Sequence, residues 1–305
     1  MRECWFLTGP TASGKSQIGV ELALRLGAEI ISLDSMAVYR ELDIGTAKPS
    51  PEDRQRVPHH LIDIVNVDEE FSLAQYVERA QAIARELLDR GRRVVFVGGT
   101  PLYLKAMLRG IFEGPSADWA LRRRLEAEAL EHDDDWLHAQ VATIDPASAR
   151  KLHARDTRRL IRVLEVFEKT GQPMSQLQQQ FDRAHSAAEC KVFVLDMPRE
   201  RLYERIEARV DSMFAAGLVE EVKALLAAGH VFGRTAGQAV GYREVLDYLV
   251  NQRSLPETIE LVKLRTRQLA KRQLTWFRSL SECRWLSVMG REASDLIDAI
   301  VAENG

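Results

Sequence analysis

The chain has 305 residues, of which 46% are hydrophobic and 29% charged, and its formal net charge is -3 at pH 7. This composition indicates a globular protein with one large core and a smaller inserted domain, and it excludes a disordered chain or a uniformly basic nucleic-acid coat. The three cysteines include no C-x-x-C pair, which excludes a disulfide scaffold or a zinc knuckle and favours a cytoplasmic location. No signal peptide or membrane-length apolar run is visible, so we expect no membrane association.

The first predicted elements are a buried strand, "CWFLTG", and an amphipathic helix, "KSQIGVELALRLG", which flank the stretch "GPTASGKS". This stretch fits the pattern G-x-x-x-x-G-K-[ST] in the strand, loop, helix context that a phosphate-binding loop (P-loop) requires. Its backbone N–H groups and the helix dipole form an anion cradle, to which Lys15 adds a cation and Ser16 a hydroxyl ligand for Mg2+. The motif does not say whether the diphosphate belongs to ATP. The predicted diphosphate-binding residues are Gly9, Pro10, Thr11, Ala12, Ser13, Gly14, Lys15 and Ser16.

Apolar runs of β type then alternate with helical patterns, which predicts a parallel sheet covered on both faces. One helix is predicted to begin at a capping box of Ser72 and Gln75 and to run to Gly91, and another begins at Thr100 with Pro101 in its first position. We therefore predict an α/β fold with a P-loop-type parallel sheet core flanked by helices. The predicted strands are "AEIISLD", "HLIDIV", "RRVVFVGG", "KVFVLDM" and "CRWLSV".

The alternation of strands and helices stops between Gly114 and Cys190. The stretches "SADWALRRRLEAEAL", "DDDWLHAQVATID" and "DTRRLIRVLEVFEKTG" all have helical periodicity, and no β run lies among them. The pattern predicts an all-helical insertion domain at residues 115–184, within a catalytic core of residues 1–114 and 185–305.

Ligands of parallel sheets bind at the carboxyl ends of the strands, where this sequence places Asp34 and Thr100. The strand before Thr100 ends without the acidic residue that a nucleotide hydrolase commonly has there, which weakens an ATPase interpretation. Asp34 is the best candidate for a general base, and its alternative role is an Asx turn with Ser35. On a later helix, Arg201, Arg205 and Arg209 form one stripe that either reaches a diphosphate or makes surface ion pairs with interleaved glutamates.

Two segments of the acidic chain are locally basic. Residues 150–169 contain seven Arg and Lys against three acidic residues, and residues 256–280 contain six against two. Such segments suit a polyanion bound at one surface, or they are solvated helix faces.

Nine motifs occur in the order and spacing typical of one family. They include "GPTASGKS", "ISLDSMAVYRELDIGTAKP", "PHHLIDI", "VGGTPLYLKAMLRG", "DTRRLIRVLEVFEKTG", "AVGYRE" and "RTRQLAKRQLTWFR". Over residues 5–286 the chain resembles the tRNA dimethylallyltransferase family. The resemblance implies a P-loop-like core whose helical insertion contacts the tRNA anticodon arm. It also implies transfer of a dimethylallyl group from its diphosphate to the exocyclic amine of the adenosine just 3′ of the anticodon, with the cradle holding the prenyl diphosphate.

The resemblance also implies roles for individual residues. Asp34 resembles the base that accepts the amine proton, Thr100 a residue that lines the channel near the adenine, and Arg209 the arginine that contacts the diphosphate. Gln238 and Ala239 stand at positions of the motif that look variable, which weakens their assignment. The implied tRNA contacts are Asp34, Ser35, Met36, Ala37, Thr100, Arg122, Arg158, Arg159, Leu160, Ile161, Arg162, Gln238, Ala239, Val240, Gly241, Tyr242 and Arg243.

Three other functions stay open at this stage. A P-loop kinase of a small metabolite would bind ATP without an RNA surface, and an adenylate prenyltransferase would share the cradle but lack the anticodon contacts. A guanine-nucleotide switch or a non-enzymatic RNA-binding module is the third, and the N/T-K-x-D motif of such a switch is missing. The expected partners are the tRNA anticodon stem-loop, dimethylallyl diphosphate and Mg2+, and no sequence feature predicts an obligate protein partner.

Overall fold

The structure of the chain is a computed structural model, and it describes residues 3–112, 114–178 and 190–303. The chain forms two compact units, a core unit of Met1–Leu108 with Ala184–Gly305 and an insertion unit of Arg109–Arg183. The insertion unit begins at Arg109, where the preceding helix ends, instead of at residue 115. Within the described ranges, no helix is long and apolar enough to span a membrane.

The core unit contains a six-stranded sheet in the order β3-β2-β4-β1-β5-β6, and all of its strand pairs are parallel. The central strand β1 lies between β4 and β5, so that Thr8 is level with Gly98 and Val194. The carboxyl ends of the strands therefore meet along one edge of the sheet, and the predicted fold class is confirmed. The strands are β1 Trp5–Thr8, β2 Ala28–Ser32, β3 His59–His60, β4 Arg93–Gly98, β5 Lys191–Asp196 and β6 Cys283–Ser287.

The helices follow the expected alternation with the strands. The capping box is confirmed, since the Gln75 N–H donates to Ser72 Oγ and the Ser72 N–H donates to Gln75 Oε1. Pro101 occupies the first position of its helix, as predicted. The helices are α1 Lys15–Leu26, α2 Pro51–Arg56, α3 Leu73–Asp89, α4 Pro101–Arg109, α5 Trp119–Leu130, α6 Trp136–Ile144, α7 Pro146–Ala149, α8 Thr157–Thr170, α9 Met174–Leu177, α10 Arg199–Ala215, α11 Leu218–Ala227, α12 Tyr242–Leu249, α13 Leu255–Arg278 and α14 Ala293–Ala302.

The strand prediction for "HLIDIV" was wrong over most of its length. Only His59 and His60 join the sheet in this region, although Val65 forms an isolated bridge with Tyr39. Leu61 and Asp63 have φ angles of 59° and 58°, in the left-handed region that breaks an extended run. The turn directs the Asp63 carboxylate to ion pairs that a regular strand would not make.

The insertion unit has helices α5 to α9 and its own small core. Leucine and valine side chains of α5, α6 and α8 pack together there, with Leu160 0% and Ile161 2% exposed. The amphipathic period of α8 explains this arrangement, because its apolar stripe faces the core, whereas Arg158 and Arg159 face outward.

Candidate active site

A cavity of about 360 Å³ lies at the carboxyl edge of the sheet, within the core unit. Its walls come from the P-loop, the turn after β2, the end of β4 and helices α10 and α13. The structure brings together the three residues that the sequence singled out for chemistry, which are Asp34, Thr100 and Arg209.

The P-loop contains two residues with left-handed backbone conformations. Ala12 and Gly14 have φ angles of 64° and 91°, both in the left-handed region. Two helices hold this loop from outside: Arg205 Nε of α10 donates to the Ala12 carbonyl at 2.8 Å, and the Thr11 N–H donates to Gln273 Oε1 of α13 at 2.9 Å. Helix α1 then begins at Lys15 without a side-chain cap, so its first N–H groups are available to an anion.

One carboxylate, that of Asp34, lines the cavity together with four Lys and Arg side chains, which are Lys15, Lys48, Arg209 and Arg272. Burial and the nearby charge of Arg209 lower the pKa of Lys15 to about 8, and Asp34 partly opposes this shift. Burial also lowers the pKa of Arg209, although a guanidinium stays charged in proteins. The Arg209 Nη2 group donates to the Thr46 carbonyl at 3.4 Å. Lys48 is paired with Asp43 and Asp63, but the other three cations still outnumber the Asp34 carboxylate, so the cavity favours an anion with more than one charge.

Asp34 makes the Asx turn that the sequence offered as its alternative role. Its Oδ1 accepts hydrogen bonds from the N–H groups of Met36 at 2.8 Å and Ala37 at 3.4 Å. Its Oδ2 accepts none from the residues that the structure describes, and Asp34 still lines the cavity. One oxygen thus fixes the turn while the other is available to a substrate, so the two roles are compatible.

Thr100 connects this turn to the end of β4. Its Oγ1 accepts a hydrogen bond from the Ser35 N–H at 3.0 Å, and its own N–H donates to the Leu33 carbonyl at 3.1 Å. The neighbouring Gly98 has no room for a side chain, because a Cβ atom there would lie 2.2 Å from the Leu33 oxygen. The turn with Asp34 and the strand end with Thr100 therefore form one rigid wall.

The P-loop residues fit a diphosphate with its divalent cation. Ser16 lines the cavity, and Ser13 Oγ is buried without a hydrogen-bond partner among the described residues. No group of three or more His, Cys, Asp or Glu side chains in the described ranges could hold a metal ion by itself. A divalent cation at a phosphate site is usually bound through few protein ligands together with phosphate oxygens and water.

Gln273 was missed by the sequence analysis. Its Oε1 accepts from Thr11, and its Nε2 donates to the Gly99 carbonyl at 2.6 Å, so one side chain joins the P-loop to the end of β4. A sequence signal existed, because Gln273 is a polar residue on the buried stripe of α13 that also contains Ala270 and Phe277.

The predicted tRNA contacts at residues 238–243 differ in how far their side chains are exposed. Gln238, Ala239 and Val240 line the cavity, and the side chain of Arg243 is exposed. Tyr242 also lines it but is 0% exposed: its hydroxyl donates to Glu221 Oε1 at 2.6 Å and accepts from the Gly45 N–H at 3.0 Å. Its side chain is thus bound to protein groups instead of being presented at the surface. The Gly241 N–H donates to Glu244.

The predicted tRNA contacts of the insertion unit also differ in how far their side chains are exposed. The side chains of Leu160 and Ile161 lie in its hydrophobic core, and a contact of these residues with tRNA stays a prediction. Arg158 and Arg159 are exposed, and Arg159 is 3.4 Å from Asp156. The guanidinium groups of Arg122 and Arg162 both bind the carboxylate of Glu165.

The arginine stripe of α10 has three different environments. Arg201 is exposed and pairs with Glu204 at 2.9 Å, as the surface interpretation expected. Arg205 binds the P-loop backbone, and Arg209 alone of the three lines the cavity.

Comparisons with known proteins agree with this arrangement. The family described as IPP transferase matches residues 37–280. A tRNA dimethylallyltransferase of Pelotomaculum thermopropionicum is 47% identical over 283 residues, covering 92% of this chain and 90% of its own. The crystal structure of a tRNA isopentenylpyrophosphate transferase from Bacillus halodurans matches with a TM-score of 0.71 at 37% identity, covering 99% of this chain and 97% of its own.

A third match is the structure of a eukaryotic dimethylallyltransferase acting on tRNA, with a TM-score of 0.75, 28% identity and coverage of 96% of this chain and 74% of its own. The family resemblance inferred from the motifs is confirmed. With its P-loop, strand-end carboxylate and cationic cavity, the chain belongs to the IPP transferase family.

Proposed function

We propose that the chain transfers a dimethylallyl group from dimethylallyl diphosphate to the exocyclic amine of the adenosine next to the anticodon of tRNA, on its 3′ side. The observation that carries this proposal is the cavity in which the P-loop, the cations Lys15 and Arg209 and the strand-end carboxylate of Asp34 lie together. The end of β4 offers no acidic residue for a hydrolytic water, since it reads Gly98, Gly99, Thr100. The names of the relatives support the same reaction.

The departure of diphosphate is the step that most needs stabilisation. The lone pair of an adenine amine is delocalised into the ring, so the allylic carbon must develop cation character before it is attacked. The bond between that carbon and the diphosphate oxygen breaks, and the electron pair leaves with the diphosphate. Lys15, Arg209 and the N–H groups of the loop are placed to stabilise the growing negative charge. A bound Mg2+, held at Ser16, would neutralise further charge on the phosphates.

The amine proton goes to Asp34 in this proposal. As the new carbon–nitrogen bond forms, the amine nitrogen becomes acidic, and a carboxylate is a competent acceptor. The Asx turn holds Oδ1, which leaves Oδ2 to take the proton. A stacked adenine cannot reach such a cavity, so the base must leave its stack and enter it.

The phosphodiester backbone is expected to bind exposed arginines, including Arg158, Arg159 and Arg243. These contacts position the RNA without reading its sequence. We place the reaction in the cytoplasm, and we propose no protein partner.

A labelled-substrate assay tests the proposal. Dimethylallyl diphosphate labelled in its prenyl group is incubated with Mg2+ and either unmodified tRNA or AMP, and ATP is tested separately for hydrolysis. We expect label in tRNA, and Asp34→Asn should lower kcat by about 10² to 10⁴, the range for loss of a general base. Asp298→Asn, an exposed carboxylate on α14, is the matched control.

Three outcomes would contradict the proposal. Label in AMP alone would favour the adenylate prenyltransferase, and phosphoryl transfer from ATP would favour the kinase. Near-normal turnover of Asp34→Asn would leave Asp34 only its role in the Asx turn.

A further inference from the structure

The carboxylate of Glu165 is fully buried in the insertion unit, although helix α8 could have placed an apolar residue there. Its side chain is 0% exposed. The Arg122 fork donates to it from Nε at 2.9 Å and from Nη2 at 2.7 Å, and the Asp118 N–H donates at 2.7 Å. Arg162 Nη1, one turn away on α8, donates to the same carboxylate. Four donors from three residues thus converge on two oxygen atoms.

This carboxylate is charged at neutral pH. Burial by itself would raise the pKa of Glu165, but the hydrogen bonds from Arg122, the Asp118 N–H and Arg162 outweigh burial and hold the pKa below its ordinary value. Since a buried charge is costly unless it is fully paired, the site is built around the two arginines.

The two arginines remain partly at the surface while Glu165 holds them. Their side chains are 22% and 26% exposed, and the guanidinium of Arg122 also lies 4.9 Å from the centre of the Trp119 ring. A guanidinium carries five N–H donors, and Glu165 occupies only two of those of Arg122. With two cations and one anion, the cluster keeps a net positive charge and fixed donor directions.

A fixed guanidinium is well suited to a phosphate. A planar fork binds phosphate through parallel hydrogen bonds, but a free arginine must lose rotamer freedom to do so. Here that freedom is lost when the insertion unit folds instead of when RNA binds. The exposed Arg159, by comparison, lies 3.4 Å from the Asp156 carboxylate, which is itself 34% exposed.

We propose that Glu165 is a positioning residue that orients Arg122 and Arg162 toward the phosphodiester backbone of tRNA. This inference rests on the proposed function, because it needs tRNA as the ligand. Glu165 itself contacts no RNA and acts only through the two arginines. A negatively charged residue can therefore strengthen the binding of a polyanion, because it holds the two cations that contact the polyanion.

Glu165→Gln and Glu168→Gln give a test in which charge and position predict opposite results. Both substitutions remove one negative charge from α8, and Glu168 is an exposed partner of Arg124. If charge alone mattered, both variants would bind tRNA more tightly. If Glu165 orients the arginines, Glu165→Gln should bind unmodified tRNA about tenfold more weakly, whereas Glu168→Gln should bind it as well as the wild type or better. The slope of log affinity against log salt should also fall by about 0.7 to 0.9 for each lost phosphate contact.

Two further variants separate positioning from loss of folding. Glu165→Asp keeps the charge but moves the carboxylate, so positioning predicts weaker binding and a charge effect predicts none. In a chain that carries both Arg122→Ala and Arg162→Ala, Glu165→Gln should cause no additional loss of tRNA affinity. The affinity for dimethylallyl diphosphate reports whether the core unit of each variant is folded, because the cavity lies in that unit. The melting curve reports whether the chain as a whole is folded.

The outcomes distinguish this inference from the proposed function. If the wild type binds no tRNA, the proposed function fails and the inference fails with it. If the wild type binds tRNA but Glu165→Gln and Glu165→Asp behave like Glu168→Gln, only the positioning role is refuted. An additional loss in the double-alanine background would likewise show that Glu165 does not act through its arginines.

Discussion

The lowered pKa of Lys15 makes the affinity for diphosphate depend on pH in a range where an ordinary lysine would not titrate. Burial and the charge of Arg209 bring this pKa from 10.5 to about 8. The charged form is the one that binds an anion, and it disappears as the pH rises through that value. Affinity should therefore be full below about pH 7 and be lost on the alkaline side.

The size of the effect follows from the titration of one group. With a pKa of about 8, roughly nine tenths of the Lys15 side chains are charged at pH 7 and roughly one tenth at pH 9. If binding requires the ammonium, affinity falls about tenfold between these values, or about 1.4 kcal/mol. A lysine with its ordinary pKa of 10.5 would lose almost nothing.

Calorimetric titration with dimethylallyl diphosphate from pH 7 to pH 9 measures this dependence. The last pKa of a phosphate group is about 6, so the charge of the ligand is constant over this range. Lys15→Arg is the control, because a guanidinium keeps its charge and the pH dependence should vanish. Equal wild-type affinity at pH 7 and pH 9, or the same decrease in Lys15→Arg, would refute the reasoning.

Two substitutions test the contacts that support the cavity, through melting curves and through kcat and KM for dimethylallyl diphosphate. Gln273→Leu leaves the Thr11 N–H and the Gly99 carbonyl without their partner, so it should cost about 2 to 5 kcal/mol of stability and raise KM. Tyr242→Phe deprives Glu221 and the Gly45 N–H of a hydrogen bond, so it should lower the stability of the chain by about 1 to 3 kcal/mol. It should also weaken diphosphate binding, because the Thr46 carbonyl, which accepts a hydrogen bond from Arg209, lies next to Gly45.

Each substitution has a matched control on its own helix. Gln268→Leu removes an amide from α13 that accepts a hydrogen bond from the exposed Arg265, and Tyr248→Phe removes a phenol hydroxyl from α12. Both controls should leave KM unchanged. Our account would be contradicted if Gln273→Leu had the same melting curve, kcat and KM as Gln268→Leu. For Tyr242→Phe, the contrary result is lower stability with an unaltered KM.

Much of the core could be predicted because its signals are local. The glycine loop lies between one strand and one helix, and the carboxyl-end rule placed Asp34 and Thr100 in one cavity from the strand pattern alone. The prediction of the strand at β3 was wrong for the opposite reason, because its path depends on contacts that are not local. Its apolar residues suggested an extended run, but the path of the chain is set by the ion pairs of Asp63 with Lys48 and Arg54, which lie earlier in the sequence.

Gln273 was missed because its contacts are not contained in any local pattern. Gln273 bonds to Thr11 across 262 positions of sequence, so only the folded chain reveals the pair. Leu160 and Ile161 were included because a motif was read as a continuous block. The period of α8, applied residue by residue, assigns them to the core and assigns Arg159 to the surface.

Arg205 and Gln273 form hydrogen bonds with the backbone of the P-loop, so the loop has its shape before a ligand binds. Ordering a free loop would cost about 1 to 2 kcal/mol for each residue, and this cradle avoids that cost. A preformed cradle, however, does not distinguish the head of a substrate from the same group once it has been released. Inorganic diphosphate keeps the same N–H groups and the same cations, and it gives up only the contacts of the prenyl chain. In the proposed reaction, we therefore expect inorganic diphosphate to act as a product inhibitor that competes with the substrate for the loop.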